Sequence, residues 1–138
     1  MSHVPKLAMS LEKIKTMAQK VYQTLGSGFS ERVYHNAMEV LLRAEGIPYE
    51  TERIVPIVFE GHTIGNMRAD LIVEKTVIVE LKATKVITPA MITQSQKYLQ
   101  LLGLSQALLV NFPQPLGDRC EIVFVEPYKS EEKESPVS

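Results

Sequence analysis

The spacing of apolar positions changes near residue 50 and changes back near residue 88. In "LEKIKTMAQKVYQTL", Leu11, Ile14, Met17, Ala18, Val21 and Leu25 recur every three or four positions, which places them on one face of a helix. Ser10 can cap that helix, and "GSG" at 26–28 stops it. "SERVYHNAMEVLLRAE" repeats the spacing through Val33, Tyr34, Ala37, Met38, Leu41 and Leu42, with Ser30 as cap and Gly46 just past the end. The pattern then becomes that of strands. "RIVPIVFE" is a strand that Pro56, lacking an N–H, confines to an edge or a bulge. "EGHTIGN" reads as turn. "RADLIV" and "TVIVELKAT" form a hairpin. Thr88-Pro89 opens a third helix, "PAMITQSQKYLQLL", which Gly103 ends, and "ALLVNF" and "CEIVFVEP" are two more strands. The order α, α, β, β, β, α, β, β predicts an α/β fold, a mixed sheet flanked by helices. Residues 1–9 read as a flexible arm, 10–127 as a single domain and 128–138 as a disordered polar tail.

One hairpin carries charges where a core strand should not. If Glu74, Lys75 and Thr76 form its loop, Val73 faces Val77 and Asp70 faces Glu80. Lys82 lies two residues beyond Glu80 and shares its face. Two carboxylates and an ammonium then converge, while Leu71, Val73, Val77, Val79 and Leu81 form an apolar face behind them. Opposed like charges destabilise a sheet. They are tolerated if they share a proton or bind a cation. Magnesium is commonly held by one or two carboxylates with water and substrate phosphate, so the patch has the parts for metal-assisted phosphodiester hydrolysis. A surface ion pair between Glu80 and Lys82 is the simpler alternative.

Composition works mainly by exclusion. A chain of 138 residues suits one sizeable core. Fifteen basic residues against sixteen acidic ones give a formal charge of -1, so no global electrostatic footprint for nucleic acid or an anionic membrane is present. The single cysteine, Cys120, excludes an internal disulfide and reads as a small buried residue. No apolar run approaches the ~20 residues needed to span a bilayer, and "MSHVPKLAMS" lacks the apolar core of a signal peptide. The expectation is an intracellular, soluble protein, in cytoplasm or nucleus, with no membrane partner. His35 and His62 have no ligand spacing and read as surface residues.

The arrangement resembles the PD-(D/E)xK nuclease superfamily, and more closely its small single-domain family named for a GxxExxY motif. "GFSERVY" carries that motif through Gly28, Glu31 and Tyr34, and "RADLIVEKTVIVELKA" carries the Asp…Glu-x-Lys hairpin. In "TPAMITQSQKYLQLLG", Gln94 and Tyr98 fall on the family's glutamine and tyrosine, and "LLVNF" resembles the strand that follows. The resemblance spans roughly residues 10–126. It implies an αβββαβ core with the active site at the hairpin. Asp70 and Glu80 would hold Mg²⁺ (or Mn²⁺) with the Leu81 carbonyl, Glu31 would add a metal or water contact, Lys82 would assist the attacking water, and Gln94 would lie beside the site. Tyr34 and Tyr98 would support it. The segment "MIT" before Gln94 and "RAD" in place of a proline-aspartate pair depart from the superfamily pattern.

Glu31 and Tyr34 lie three apart and Gln94 and Tyr98 four apart, so each pair shares a helix face. Glu31 also sits in a first helical turn, where the dipole favours a carboxylate. The expected function is Mg²⁺-dependent hydrolysis of DNA or RNA, with a homodimer or a protein partner completing the substrate groove. The alternative is a nuclease-like fold used as a binding module for nucleic acid or protein, which the near-zero net charge favours.

Overall fold

A computed structural model describes residues 6–129. The elements follow the expected order: α1 (Lys6–Leu25), α2 (Glu31–Ala44), β1 (Tyr49–Phe59), β2 (His62–Val73), β3 (Val77–Lys82), α3 (Pro89–Leu102), β4 (Gln106–Asn111) and β5 (Glu121–Val125). The strands form one five-stranded sheet in sequence order. Only the β3–β4 neighbours run parallel, with α3 as their crossover; the other pairs are antiparallel. The sheet is covered on both faces. Leu71, Val73, Val77, Val79, Leu81, Leu108 and Val110 meet α1 and α2 through Ile14, Met17, Tyr34 and Met38. Ile72, Ile78, Ala107, Leu109 and Val125 meet Tyr98 and Leu99 of α3. Because β3 is covered on both sides, its run "VIVEL" is buried at every position.

Three expectations are corrected. Helix α1 begins at Lys6, so residues 6–9 are helical rather than a loose arm, and Ser10 lies inside the helix, where its hydroxyl donates to Glu74. The remainder of the expected arm, and nearly all of the expected tail, lie outside the described residues. "HTIGN" belongs to β2, because Glu60 and Gly61 alone make the turn, both with positive φ (51° and 78°). That conformation suits a tight hairpin, and the β-branched Thr63 and Ile64 then continue the strand. The third correction is on α2, where Val33 is exposed and His35 takes a place on the buried face with Tyr34, Met38 and Leu42.

Ser30 and Thr88 occupy the cap positions of α2 and α3, but only one makes the bond. Thr88 Oγ1 accepts from Met91 N at 3.3 Å, whereas Ser30 makes no side-chain cap bond. Thr88→Ala should therefore cost about 1 kcal/mol in a denaturant titration and Ser30→Ala only a few tenths. Equal losses would contradict that difference. No helix among the described residues is long and apolar enough to cross a membrane.

Candidate active site

The β2–β3 hairpin turns as its sequence suggests. Glu74 and Lys75 adopt positive φ (52° and 60°), Thr76 N–H bonds Val73 O at 3.0 Å, and Val73 pairs with Val77. The ladder continues through Ile72–Ile78 and Leu71–Val79, and then opens. At the next position the side chains take over from the backbone. Asp70 N donates to Glu80 Oε2 at 3.0 Å, and Leu81 N donates to Asp70 Oδ2 at 2.8 Å. Each carboxylate thus satisfies a backbone N–H of the opposite strand.

Two further features mark the same level of the sheet. The alternation of β2 slips there, since Ile72, Ala69 and Met67 all pack in the α3 layer. On β1, Glu52 lies between the register pairs Thr51–Leu71 and Arg53–Ala69 with φ of 54°, a left-handed conformation uncommon for a non-glycine residue. Meanwhile β3 stays paired with β4 as far as Lys82–Asn111. So β2 bends away from a fixed β3, and the gap holds Asp70 and Glu80.

The end of β3 is pinned. Phe112 N donates to Lys82 O at 2.8 Å. Buried Asn111 accepts from Thr84 N at 2.8 Å through Oδ1, and its Nδ2 donates to Thr84 O at 3.0 Å and Glu121 Oε1 at 2.7 Å. This clamp holds the backbone from Lys82 to Thr84, and Lys82 is itself half-buried.

Glu80 is 3% exposed, and Asp70 is half-buried. Burial, and next the charge of Asp70, push the Glu80 carboxyl up to about 8, against the pull of the Asp70 N–H and of Lys82. Burial also raises Asp70, opposed by the Leu81 N–H, His35, Lys82 and Arg68. Of the two, the more deeply buried Glu80 is the carboxyl that favours its proton near neutral pH. Tyr98 belongs to the same neighbourhood. Burial, then the charges of Glu80 and Asp70, push its phenol up to about 12.

Helix α2 brings Glu31 to this point from another part of the chain. Glu31, Arg32, His35, Arg68, Asp70 and Leu81 line one cavity of about 210 Å³. The Glu31 charge contributes to the rise at Glu80. Tyr34 does not enter the cavity. It is fully buried and stacked on Phe112 with centroids 4.3 Å apart. Its hydroxyl donates to Gly26 O at 2.7 Å and accepts from Gln114 Nε2 at 3.2 Å. The tyrosine thereby anchors the loop before α2, which sets where Glu31 stands. Gln94 is exposed on α3 and is not among the cavity-lining residues.

His35 is the clearest correction. It is 4% exposed, and its Nε2 lies 2.8 Å from both Glu39 Oε2 and Thr51 Oγ1. Glu39 also accepts from Tyr49 Oη at 2.9 Å. The His35–Glu39 spacing of four was a readable signal for this pair. His62 is exposed as expected. Arg32 and Arg68 were also missed, although each is close in sequence to an acidic residue of the cavity, Glu31 and Asp70.

Among the described residues, no three His, Cys, Asp or Glu side chains form a group that could hold a metal ion. Asp70, Glu31 and Leu81 line the cavity, and Glu80, which does not, is joined to Asp70 through the Asp70 N–H; the oxygens these residues carry are hard donors. That chemistry suits Mg²⁺ or Mn²⁺ bound by few protein ligands and several waters. A buried pair that retains a proton is also one whose charge a cation would compensate.

A family model described as the PD-(D/E)XK nuclease superfamily matches residues 8–122. The chain belongs to the PD-(D/E)XK nuclease superfamily. Proteins of this superfamily are typically metal-dependent, and the mixed sheet with flanking helices is its fold. Among solved structures, SSO0001 aligns over 74% of this chain and 52% of its own length, with 23% identity and a TM-score of 0.55. The chain thus spans about half of that protein. The alkaline exonuclease LHK-Exo from Laribacter hongkongensis aligns over 95% of this chain and 76% of its own, with 15% identity and a TM-score of 0.54. At these identities the likeness is one of fold alone. No curated protein matches the chain.

Proposed function

We propose that this chain is a Mg²⁺-dependent nuclease of the GxxExxY branch, hydrolysing phosphodiester bonds of DNA or RNA. The observation that carries the reading is the opened ladder at Asp70 and Glu80. The two carboxylates accept backbone N–H groups there, but opposed and buried they also repel each other, and a cation between them removes that conflict. Asp70 and Glu80 would hold Mg²⁺ or Mn²⁺ with the Leu81 carbonyl, and Glu31 would contact the ion directly or through water. The ion, when bound, supplies positive charge that polarises the phosphodiester and acidifies water. Lys82 places a second positive charge beside the carboxylates, where it orients the attacking water and stabilises charge developing on phosphorus-bound oxygens. Tyr98 closes the α3 side of the pair and keeps it dry. Exposed Gln94 contacts the substrate strand at the rim.

The test is purified protein incubated with labelled DNA and labelled RNA in chelator, Mg²⁺ and Mn²⁺. Cleavage that requires metal is the expected result. If neither substrate is cut with either metal at high protein concentration, the second reading takes its place: a nuclease-like fold that binds nucleic acid or protein. The formal charge of -1 is the observation that favours it, because non-specific affinity for nucleic acid comes mainly from basic residues. Sedimentation of the same samples tests whether a homodimer completes the groove.

A further inference from the structure

A chain with no basic excess needs a local source of positive charge if it is to hold a nucleic-acid strand, and two arginines stand at the cavity wall. Arg32 comes from the first turn of α2 and Arg68 from β2, two residues before Asp70. A single carboxylate joins them. Glu52 on β1 accepts from Arg32 Nη1 at 3.0 Å and from Arg32 Nη2 at 2.9 Å, a bidentate pair. Arg68 Nη1 lies 3.6 Å from Glu52 Oε1, at ion-pair distance. Two guanidiniums against one carboxylate leave one positive charge unmatched within this trio, and the trio stands beside Glu31 and Asp70 at the same cavity.

Stability alone gives a poor account of this arrangement. The arginine side chains are 49% and 57% exposed. Exposed ion pairs contribute about 0–1 kcal/mol. Glu52 makes them from a left-handed backbone (φ 54°), whose cost of order 1 kcal/mol or more is comparable or larger. Glu52 also lies between the Thr51–Leu71 and Arg53–Ala69 pairs, opposite Asp70 in the β1–β2 register, so the carboxylate that joins the arginines stands at the level of the Asp70–Glu80 pair.

We propose that Arg32 and Arg68, held together by Glu52, form a clamp for a phosphate of the substrate strand beside the Asp70–Glu80 pair. The clamp rests on the reading of the chain as a phosphodiesterase and deepens it. Arg32 and Arg68 bind the phosphate. Glu52 is a positioning residue, which fixes the two forks without touching substrate. Guanidiniums suit this task because their planar N–H groups match phosphate oxygens in pairs.

The test reads binding separately from cleavage. A short fluorescent single-stranded oligonucleotide is titrated in chelator at several salt concentrations. Wild type should bind it, with log K falling linearly in log[salt]. Arg32→Ala and Arg68→Ala should each weaken binding about tenfold at low salt and flatten the slope by roughly 0.7, one phosphate contact on a single strand. If either alanine variant fails to fold, Arg→Gln at that position keeps much of the stem and reads the same slope.

The sign at Glu52 separates positioning from charge. Removing a carboxylate near an anionic ligand should tighten binding if charge alone mattered. Glu52→Ala should instead weaken it several-fold, and Glu52→Gln, which keeps an acceptor of the same shape, should restore most of the loss. The clamp is overturned if wild type does not bind, if the arginine variants keep the wild-type slope, or if Glu52→Ala binds more tightly. Binding with the expected slopes but no cleavage in Mg²⁺ or Mn²⁺ would leave the clamp standing and remove the hydrolytic reading. Cleavage with unaltered slopes in both arginine variants would do the reverse.

Discussion

Lys82→Ala is expected to lower the rate of metal-dependent cleavage by about 10²–10³-fold, the usual cost of deleting one group that stabilises transition-state charge. The fold should survive. The backbone at residues 82–84 is held by Phe112 N and by Asn111, not by the lysine side chain. The variant should still be stabilised by Mg²⁺, because the hard-oxygen donors remain. Its pH profile should move as well. Lys82 lowers the proton affinity of both Asp70 and Glu80, so without it the pair keeps its proton to higher pH. The acid limb of the rate profile, where the pair must lose its proton to hold a cation, should shift upward. Single-turnover cleavage across pH, at saturating metal, measures both effects. Wild-type rates with an unmoved acid limb would take Lys82 out of the chemistry.

The parts of this fold that could be read from the sequence are those fixed by local chemistry. Thr88-Pro89 and Gly103 delimit α3 because a cap, a ring with preset φ and a left-handed stop act within a few residues of themselves. The Val73–Val77 register was legible because loop length and apolar alternation agree on it. The opposition of Asp70 and Glu80 was read from that register; the ladder opens one pair earlier, and the two residues meet instead through side chains on backbone N–H groups.

What escaped the sequence depends on contacts between elements. Apolar spacing gives the buried stripe of α2 only approximately, and the exchange of Val33 for His35 is decided by Thr51 on a strand that the helix meets later. The slip at Asp70 and the left-handed Glu52 lie at one level of two neighbouring strands, and neither residue type advertises them. Gln94 shows a different limit. Its spacing from Tyr98 is helical as expected, yet Tyr98 turns inward toward the carboxylates while Gln94 remains on the exposed surface. Sharing a face to within one helical turn leaves enough angle for one side chain to be buried and the other not.

Glu80→Gln carries the largest expected effect on stability, and its direction depends on pH. In the unfolded chain the carboxyl titrates near 4.5, and in the fold near 8. Between those values the folded state holds a proton that the unfolded state has lost. The proton's contribution to stability is therefore complete below about pH 4.5 and is lost as pH rises through about 8. A shift of that size in so buried a group amounts to something on the order of a few kcal/mol. Glutamine keeps the shape and an oxygen for the Asp70 N–H, but has no proton to lose. In chelator, the variant should melt close to wild type at pH 4.5 and several degrees above it at pH 8. Metal should reverse the order. Mg²⁺ or Mn²⁺ that binds only the folded wild type raises its stability by about 2.7 kcal/mol at a hundredfold excess over the dissociation constant, and the variant should lose most of that gain. Asp70→Asn should behave alike, since Asn can also accept from Leu81 N. Melting curves at the two pH values, each in chelator and in metal, separate the cation site from a purely structural pair. If metal leaves wild type unmoved and both amide variants melt well below it at pH 8, the carboxylates serve the opened ladder alone, as acceptors for two N–H groups that the bent strand left without a partner.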